Sequence, residues 1–289
     1  MTDMQYEAPA SVKEAVGLLA KGGSGARVIA GGTDLLVQLR AGNVKPKLIV
    51  DVKDIDEMST IEVTKTGFRI GAAVCGAEVN EHKKLKAAWP GVVEATDLIG
   101  STQIQGRATL GGNLCNASPA ADSVPALIAA GATVTVAGPK GRRKVPVEKI
   151  NKGPGKTTLK AGEIVVSFHL PKPKYGSGDA YLRMIPRTEM DIAMVGVGVC
   201  LTMGKGGKCT AARVVLSAVA PTALLVPAAA KALIGTTVDD AALTKLAAAA
   251  SAACKPIDDM RGTIEYRTQV AGVLARRAAT VALKRAQSK

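Results

Sequence analysis

The stretch Arg27-Val28-Ile29-Ala30-Gly31-Gly32-Thr33-Asp34-Leu35 decides the reading of this chain. Its first four residues have the length and apolar character of a short buried strand, and Leu35, Leu36 and Leu39 put one apolar face on a helix over 33–40. The paired glycines therefore stand between a strand and a helix N-terminus. Glycine accepts positive φ and lets backbone amides approach a ligand closely, so such a turn can gather several N–H groups around anionic oxygens. A second double glycine follows in Thr109-Leu110-Gly111-Gly112-Asn113-Leu114. Two such turns can hold two phosphates, with the Thr33 and Asn113 side chains adding donors, and together they suggest a dinucleotide held from both sides. Taken singly, each is equally an ordinary glycine turn.

Composition narrows the classes. At 289 residues and 47% hydrophobic content, the chain is long enough for two domains with real cores. Two Phe, four Tyr and a single Trp leave that interior to Val, Ile, Leu and Ala and make base-stacking platforms scarce. The net charge of +14 suits an acidic partner, an anionic ligand or nucleic acid. Its densest cluster, Lys140-Gly141-Arg142-Arg143-Lys144, reads as a solvated turn between strands, and no nucleic-acid motif accompanies it. The N-terminus lacks a secretory pattern, and no apolar run approaches the roughly 20 residues of a membrane span, so a cytoplasmic protein without a membrane span is expected. Cys75, Cys115, Cys200, Cys209 and Cys254 contain no C-x-x-C pair, which fits reduced thiols and not an iron-sulfur site.

The order of elements predicts an α/β unit over residues 1–58: helix 11–21, strand 28–30, helix 34–41 and strand 48–52. A hairpin over 60–73, around Lys65-Thr66-Gly67, opens a second unit. Helices at 77–88, 92–99 and 119–130 follow, then strands at 132–137, 143–146 and 163–170. Pro171 to Gly178 contains two prolines and two glycines and reads as a linker, which places a domain boundary at 174–178. Beyond it, strands at 191–203 and 208–218 precede helices at 228–234, 241–253 and 268–285. The last helix carries Val270, Val273 and Leu274 on its apolar face. The fold class is α+β: residues 1–174 in two subdomains, 1–58 and 59–174, and a smaller C-terminal α+β domain over 178–289.

Several sites fail. Gly155-Lys156-Thr157 imitates the end of a P-loop, but Ile150 stands where its first glycine is needed. Gly23-Ser24-Gly25 precedes its strand, and Gly196-Val197-Gly198 lies within one, so neither is a Rossmann fingerprint. His82 reads as an exposed residue of a polar helix and His169 as a structural strand residue, which leaves almost nothing for a metal site or a Ser-His-Asp triad. Any reaction must lean on a bound cofactor.

Four segments together carry a family resemblance: 30–36 (AGGTDLL), 103–122 (QIQGRATLGGNLCNASPAAD), 187–196 (RTEMDIAMVG) and 266–277 (YRTQVAGVLARR). With this order and spacing, the chain resembles the FAD-binding medium subunit of the molybdenum hydroxylases, of xanthine dehydrogenase, aldehyde oxidoreductase, nicotinate dehydrogenase and carbon monoxide dehydrogenase type. The resemblance implies a two-subdomain, vanillyl-alcohol-oxidase-like (PCMH) FAD-binding domain with a C-terminal α+β domain covering it. It implies that Ala30, Gly31, Gly32, Thr33 and Asp34 embrace the FAD diphosphate from one side and Thr109, Gly111, Gly112 and Asn113 from the other, with Ile29 and Leu35 also among the cofactor-binding residues. Ile99 and Gly100 are expected along the flavin, Ile104 among the cofactor-binding residues, Val166 at the isoalloxazine edge, and Asp122 on a hydroxyl of the sugar-alcohol or ribose portion. Cys115, beside the cofactor loop, is expected to pack as a small apolar residue. Arg183 stands where relatives often carry lysine; it either places a cation near the pyrimidine end of the ring or pairs with Glu189 or Asp191.

The family pattern implies a large molybdopterin-binding subunit, a small subunit with 2Fe-2S clusters, and assembly as a dimer of heterotrimers. Electrons would pass from those clusters through FAD to an external acceptor. Two departures stand out. Gln105-Gly106 replaces an Arg-Asn pair common in relatives, which removes a basic contact at 105. Thr33-Asp34 replaces the His-Ser of the carbon monoxide type, which points away from that substrate. Two other readings remain: a stand-alone FAD-dependent oxidoreductase, and a basic nucleotide- or nucleic-acid-binding protein.

Overall fold

The structure, a computed structural model, describes residues 4–288. The chain opens with β1 (Gln5–Glu7), α1 (Val12–Gly22), β2 (Ala26–Ile29), α2 (Leu35–Arg40) and β3 (Leu48–Asp51). Helix α1 begins where Ser11 accepts a hydrogen bond from the Glu14 amide and ends at Gly23, whose φ of 53° suits glycine. It buries Val12, Ala15, Val16 and Leu19. Among the described residues the three strands form a parallel sheet in the order β1-β3-β2, and the buried run Ile49-Val50-Asp51 is typical of a parallel strand covered on both faces. The parallel pairing delivers the 30–34 turn from the carboxyl end of β2 into a crevice.

The hairpin of β4 (Ile61–Thr64) and β5 (Gly67–Gly71) is followed by α3 (Gly76–Glu81), α4 (Lys83–Ala88), α5 (Pro90–Asp97), α6 (Thr102–Gln105), α7 (Leu110–Cys115) and α8 (Ser123–Ala129). The expected helix over 77–88 is broken at His82. Its Nδ1 accepts the Leu85 amide at 3.0 Å and caps α4, so this half-buried histidine is a capping residue and not an exposed helical one. Strands β6 (Thr133–Gly138), β7 (Gly141–Pro146) and β10 (Ile164–Pro171), with the small hairpin of β8 (Asn151–Gly153) and β9 (Lys156–Thr157) between them, complete this unit. Its main sheet is antiparallel in the order β4-β5-β10-β6-β7. The basic cluster lies on β7, where Arg142 pairs with Glu57 and Arg143 with Glu163.

The C-terminal unit opens with a strand that the sequence reading did not predict. Strand β11 (Ser177–Met184) includes part of the anticipated linker, and Pro171 at the other end belongs to β10, which leaves only 172–176 outside strands. It pairs with β12 (Val195–Met203), then β13 (Cys209–Ser217) and β14 (Leu224–Leu225), all antiparallel. Helices α9 (Pro227–Leu233), α10 (Asp240–Ala253) and α11 (Ile264–Gln287) follow. Helix α11 packs on β11 and β12 through Ala271, Ala275, Ala278, Ala279 and Ala282, all fully buried, while Val273 of the expected apolar face is exposed. Small side chains are needed because helix and strand nearly touch: a Cβ on Gly178 would lie 2.1 Å from the Ala282 carbonyl oxygen.

The opposite face of this sheet rests on α5 and α8 of the preceding unit. Gly198 approaches the Pro125 carbonyl, where a Cβ would lie 2.6 Å away, and Tyr181 and Val215 join the larger core. Arg285 of α11 pairs with Glu94 of α5. Within the C-terminal unit, Arg267, only 3% exposed, donates to the Met194 and Ala218 carbonyls and to Asp259. The Arg261 amide, with Arg267 beside it, holds the Asp259 carboxyl below its usual range. Arg267→Met strands these acceptors and is expected to cost about 3 kcal/mol in urea unfolding while leaving the crevice chemistry unchanged.

Candidate functional site

The two glycine stretches meet. A Cβ on Gly31 would lie 1.9 Å from the Arg107 carbonyl oxygen and 3.0 Å from Ala108 Cα, so the first turn is pressed against the backbone preceding the second stretch. Gly111 is held against Ala72, where a Cβ would lie 2.4 Å from the carbonyl oxygen to which its amide donates at 3.1 Å. These two glycines thus serve chain-on-chain contact. Gly32, with φ of 79°, supplies the left-handed turn.

The second stretch is helical and not a turn. Thr109 is the N-cap of α7, its Oγ1 accepting the Gly112 amide at 3.0 Å, while the Asn113 amide bonds the Thr109 carbonyl. The expected backbone donors of 111–113 are thereby consumed, and this side offers the Asn113 and Thr109 side chains. On the first side the amides of Gly32, Thr33 and Asp34 have no acceptor among the described residues. Three consecutive N–H groups around a left-handed glycine form the kind of concavity that binds an anion.

A cleft of about 420 Å³ runs between the two stretches. Ile29, Ala30, Gly31, Gly32, Thr33, Asp34 and Leu35 line it from the first stretch, and Thr109, Gly111, Gly112, Asn113 and Cys115 from the second, with Ile99. Val28, Val52, Met58, Leu159, Ile164 and Val165 add apolar lining, and Arg27 and Glu163 add charged lining. The sequence marks none of these eight as a site residue; an apolar side chain such as Val28 or Ile164 looks the same in sequence whether it faces a core or a cleft. Gln38 and Asn116 also escaped notice. Gln38 Nε2 donates to Asn116 Oδ1 and Asn116 Nδ2 to Asp34 Oδ1, each at 3.1 Å, tying α2 to the end of α7 across the cleft. Desolvation on the protein side raises the Asp34 carboxyl above its ordinary range. Burial pushes the Cys115 thiol up to about 12, so Cys115 is a neutral packing residue.

Five expected residues lie off the cleft wall. Gly100, with φ of 65°, and Ile104 pack on each other, and neither lines the cleft. Val166 is fully buried in β10, its carbonyl accepting the Ala72 amide, and the wall falls instead to Ile164 and Val165 beside the register shift at 165–167. Asp122 and Arg183 are paired with each other: Arg183 Nη1 reaches Asp122 Oδ2 at 2.7 Å and the Tyr181 hydroxyl donates to Asp122 Oδ1 at 2.8 Å. Arg183 therefore bonds neither Glu189 nor Asp191; the latter pairs with Arg187 and Arg261. Burial pushes the Asp122 carboxyl up to about 6 against the pull of Arg183 and the Tyr181 hydroxyl. Gln105, at the position where a basic residue was missed, is buried and donates to the Asp97 carbonyl, away from the cleft.

Residues 2–173 match the family model described as the FAD binding domain in molybdopterin dehydrogenase, and 180–282 match the CO dehydrogenase flavoprotein C-terminal domain. The chain is 36% identical over 283 residues, 98% of each chain, to the carbon monoxide dehydrogenase medium chain of Afipia carboxidovorans. It is 35% identical over 193 residues, 66% of each chain, to the putative xanthine dehydrogenase FAD-binding subunit of Escherichia coli. Among solved structures it resembles a chain of reconstituted CO dehydrogenase from Oligotropha carboxidovorans, with a TM-score of 0.94, 36% identity and 98% of each chain covered. It also resembles a chain of quinoline 2-oxidoreductase from Pseudomonas putida 86, with a TM-score of 0.89, 30% identity, and 99% and 97% covered.

Proposed function

Because this chain belongs to the FAD-binding medium subunits of the molybdenum hydroxylase family, we propose that its cleft holds FAD with the diphosphate between residues 31–34 and Asn113. The observation that carries this reading is the set of unpaired amides at Gly32, Thr33 and Asp34, in residues that line the same cleft as Asn113, Thr109 and the apolar Ile99, Ile164 and Val165. A dinucleotide needs that order: donors for the anionic bridge and apolar surface for flat rings. FAD, when bound, takes up electrons singly and passes them on singly or in pairs.

The protein's own part is to bind, orient and exclude water. Gly32, Thr33 and Asp34 supply donors, Ile99, Ile164 and Val165 supply apolar surface, and the Gln38-Asn116-Asp34 chain clasps the two sides. Asp122 and Arg183 support the wall from behind as an ion pair. The domain division belongs to the same reading: a parallel unit to about residue 58, an antiparallel unit to about 174 and a C-terminal unit from 178. Support comes from the separate sheets, the two core clusters and the ranges of the two family models.

In this reading the subunit receives electrons from 2Fe-2S clusters of a small partner, reduced at a molybdopterin centre of a large partner, in a cytoplasmic dimer of heterotrimers. Identity to the carbon monoxide type is 36% over 98% of the chain and to the xanthine type 35% over 66%, so the match to the former extends further, and Thr33-Asp34 is the residue-level argument against carbon monoxide as substrate. No helix among the described residues is long and apolar enough to cross a membrane. Co-expression with the neighbouring coding regions tests the assembly. Purification by a tag on this chain is expected to bring along two partners with iron and molybdenum, and a chain that emerges alone from that experiment contradicts it.

A further inference from the structure

The side chain of Asn113 is oriented by a residue outside the cleft. Ser123, the first residue of α8 and fully buried, donates twice to Asn113 Oδ1: from its Oγ at 2.7 Å and from its amide at 3.3 Å. A backbone N–H can only donate, so the Asn113 atom facing it must be the carbonyl oxygen. That fixes the amide: with Oδ1 turned to Ser123, Nδ2 is left as the end available to the cleft that Asn113 lines. A freely rotating Asn would present either a donor or an acceptor to an anion, and only the donor attracts one.

Ser123 is itself held. Its neighbour Asp122 is bonded by Tyr181 and Arg183 of β11, and the loop before it is tied where the Ala218 amide donates to the Pro119 carbonyl at 2.8 Å. The C-terminal sheet therefore grips residues 119–123, and Ser123 carries that grip to the cleft wall.

We infer that Ser123 is a positioning residue for cofactor binding: it locks the Asn113 carboxamide so that Nδ2 is presented to the anionic bridge of the ligand. This rests on the FAD reading of the cleft. Its test uses full-length apoprotein titrated with FAD, reading the dissociation constant by flavin fluorescence and the apoprotein melting temperature in parallel. Asn113→Ala is expected to weaken FAD binding about tenfold and Ser123→Ala about fivefold, the scale of one hydrogen bond to a charged or oriented partner. The double variant is expected to bind no worse than Asn113→Ala alone, because Ser123 acts only through Asn113. Ser123→Thr keeps the hydroxyl and restores most of the affinity.

Independent, multiplying effects of the two single variants overturn the inference. So does an unchanged dissociation constant in Ser123→Ala when Asn113→Ala is impaired. If Ser123→Ala does not fold, failure of Ser123→Thr to bind like wild type while melting like it overturns the proposal equally. An Asn113→Ala variant that binds FAD normally removes the parent reading of the diphosphate position, which separates the two failures.

Discussion

Gly31→Ala is expected to weaken FAD binding about a hundredfold, with the far-ultraviolet signature of the fold retained. The reason is steric and not conformational. The added Cβ would sit 1.9 Å from the Arg107 carbonyl oxygen and 2.6 Å from its carbon, both backbone atoms that cannot rotate away. The turn and the 107–109 segment must part, and the donors on the two sides of the cleft then no longer converge on one group. Loss at a geometry-dependent anion site is steep because each amide contact depends on the others. Gly112→Ala is the informative companion: its Cβ meets only Thr109 Oγ1, at 3.0 Å. A far milder loss is expected there. Titration of both apoproteins with FAD checks the pair, and equal losses would show that loop-on-loop contact is not what matters.

The largest loss of stability is expected at Gly178. Its missing side chain lets β11 lie against α11, and a Cβ would stand 2.1 Å from the Ala282 oxygen and 2.6 Å from the Ala286 nitrogen. Neither atom can yield without displacing the helix that buries Ala271, Ala275, Ala278, Ala279 and Ala282. Gly178→Ala should therefore cost about 4 kcal/mol, at the upper end for overpacking, because backbone meets backbone. Urea unfolding followed by circular dichroism measures it. The same shift carries to β11 residues Tyr181 and Arg183, which grip Asp122, so a weaker hold on FAD is expected together with the stability loss. An unaltered unfolding midpoint would contradict the packing argument.

The legible part of this molecule was its glycine chemistry. Gly31, Gly32, Gly111 and Gly112 announced two backbone approaches, and the cleft runs between them. What they could not announce was which approach is made to a ligand and which to another stretch of chain; Gly31 and Gly111 prove to face backbone. The helical state of 110–115 was hidden because two glycines disfavour helix, and the Thr109 cap overrides that preference locally. Strand β11 escaped notice because Ser177 and Gly178 follow a proline- and glycine-rich segment, and its pairing with β12 is a tertiary fact. The length and buried face of α11 escaped for a different reason: an alanine stripe gives little hydrophobic periodicity. Asn116, Gln38 and Ser123 were invisible as site residues, since their partners lie 78, 82 or 10 positions away and the fold alone brings them together.

We propose that FAD is held in the cleft between 31–34 and 109–113. The chain, purified gently and then denatured, should release flavin that chromatography identifies as FAD in stoichiometric amount, and Gly31→Ala purified in parallel should release little. A wild-type preparation that yields no flavin, and whose folded apoprotein takes up none when FAD is supplied, would contradict the account.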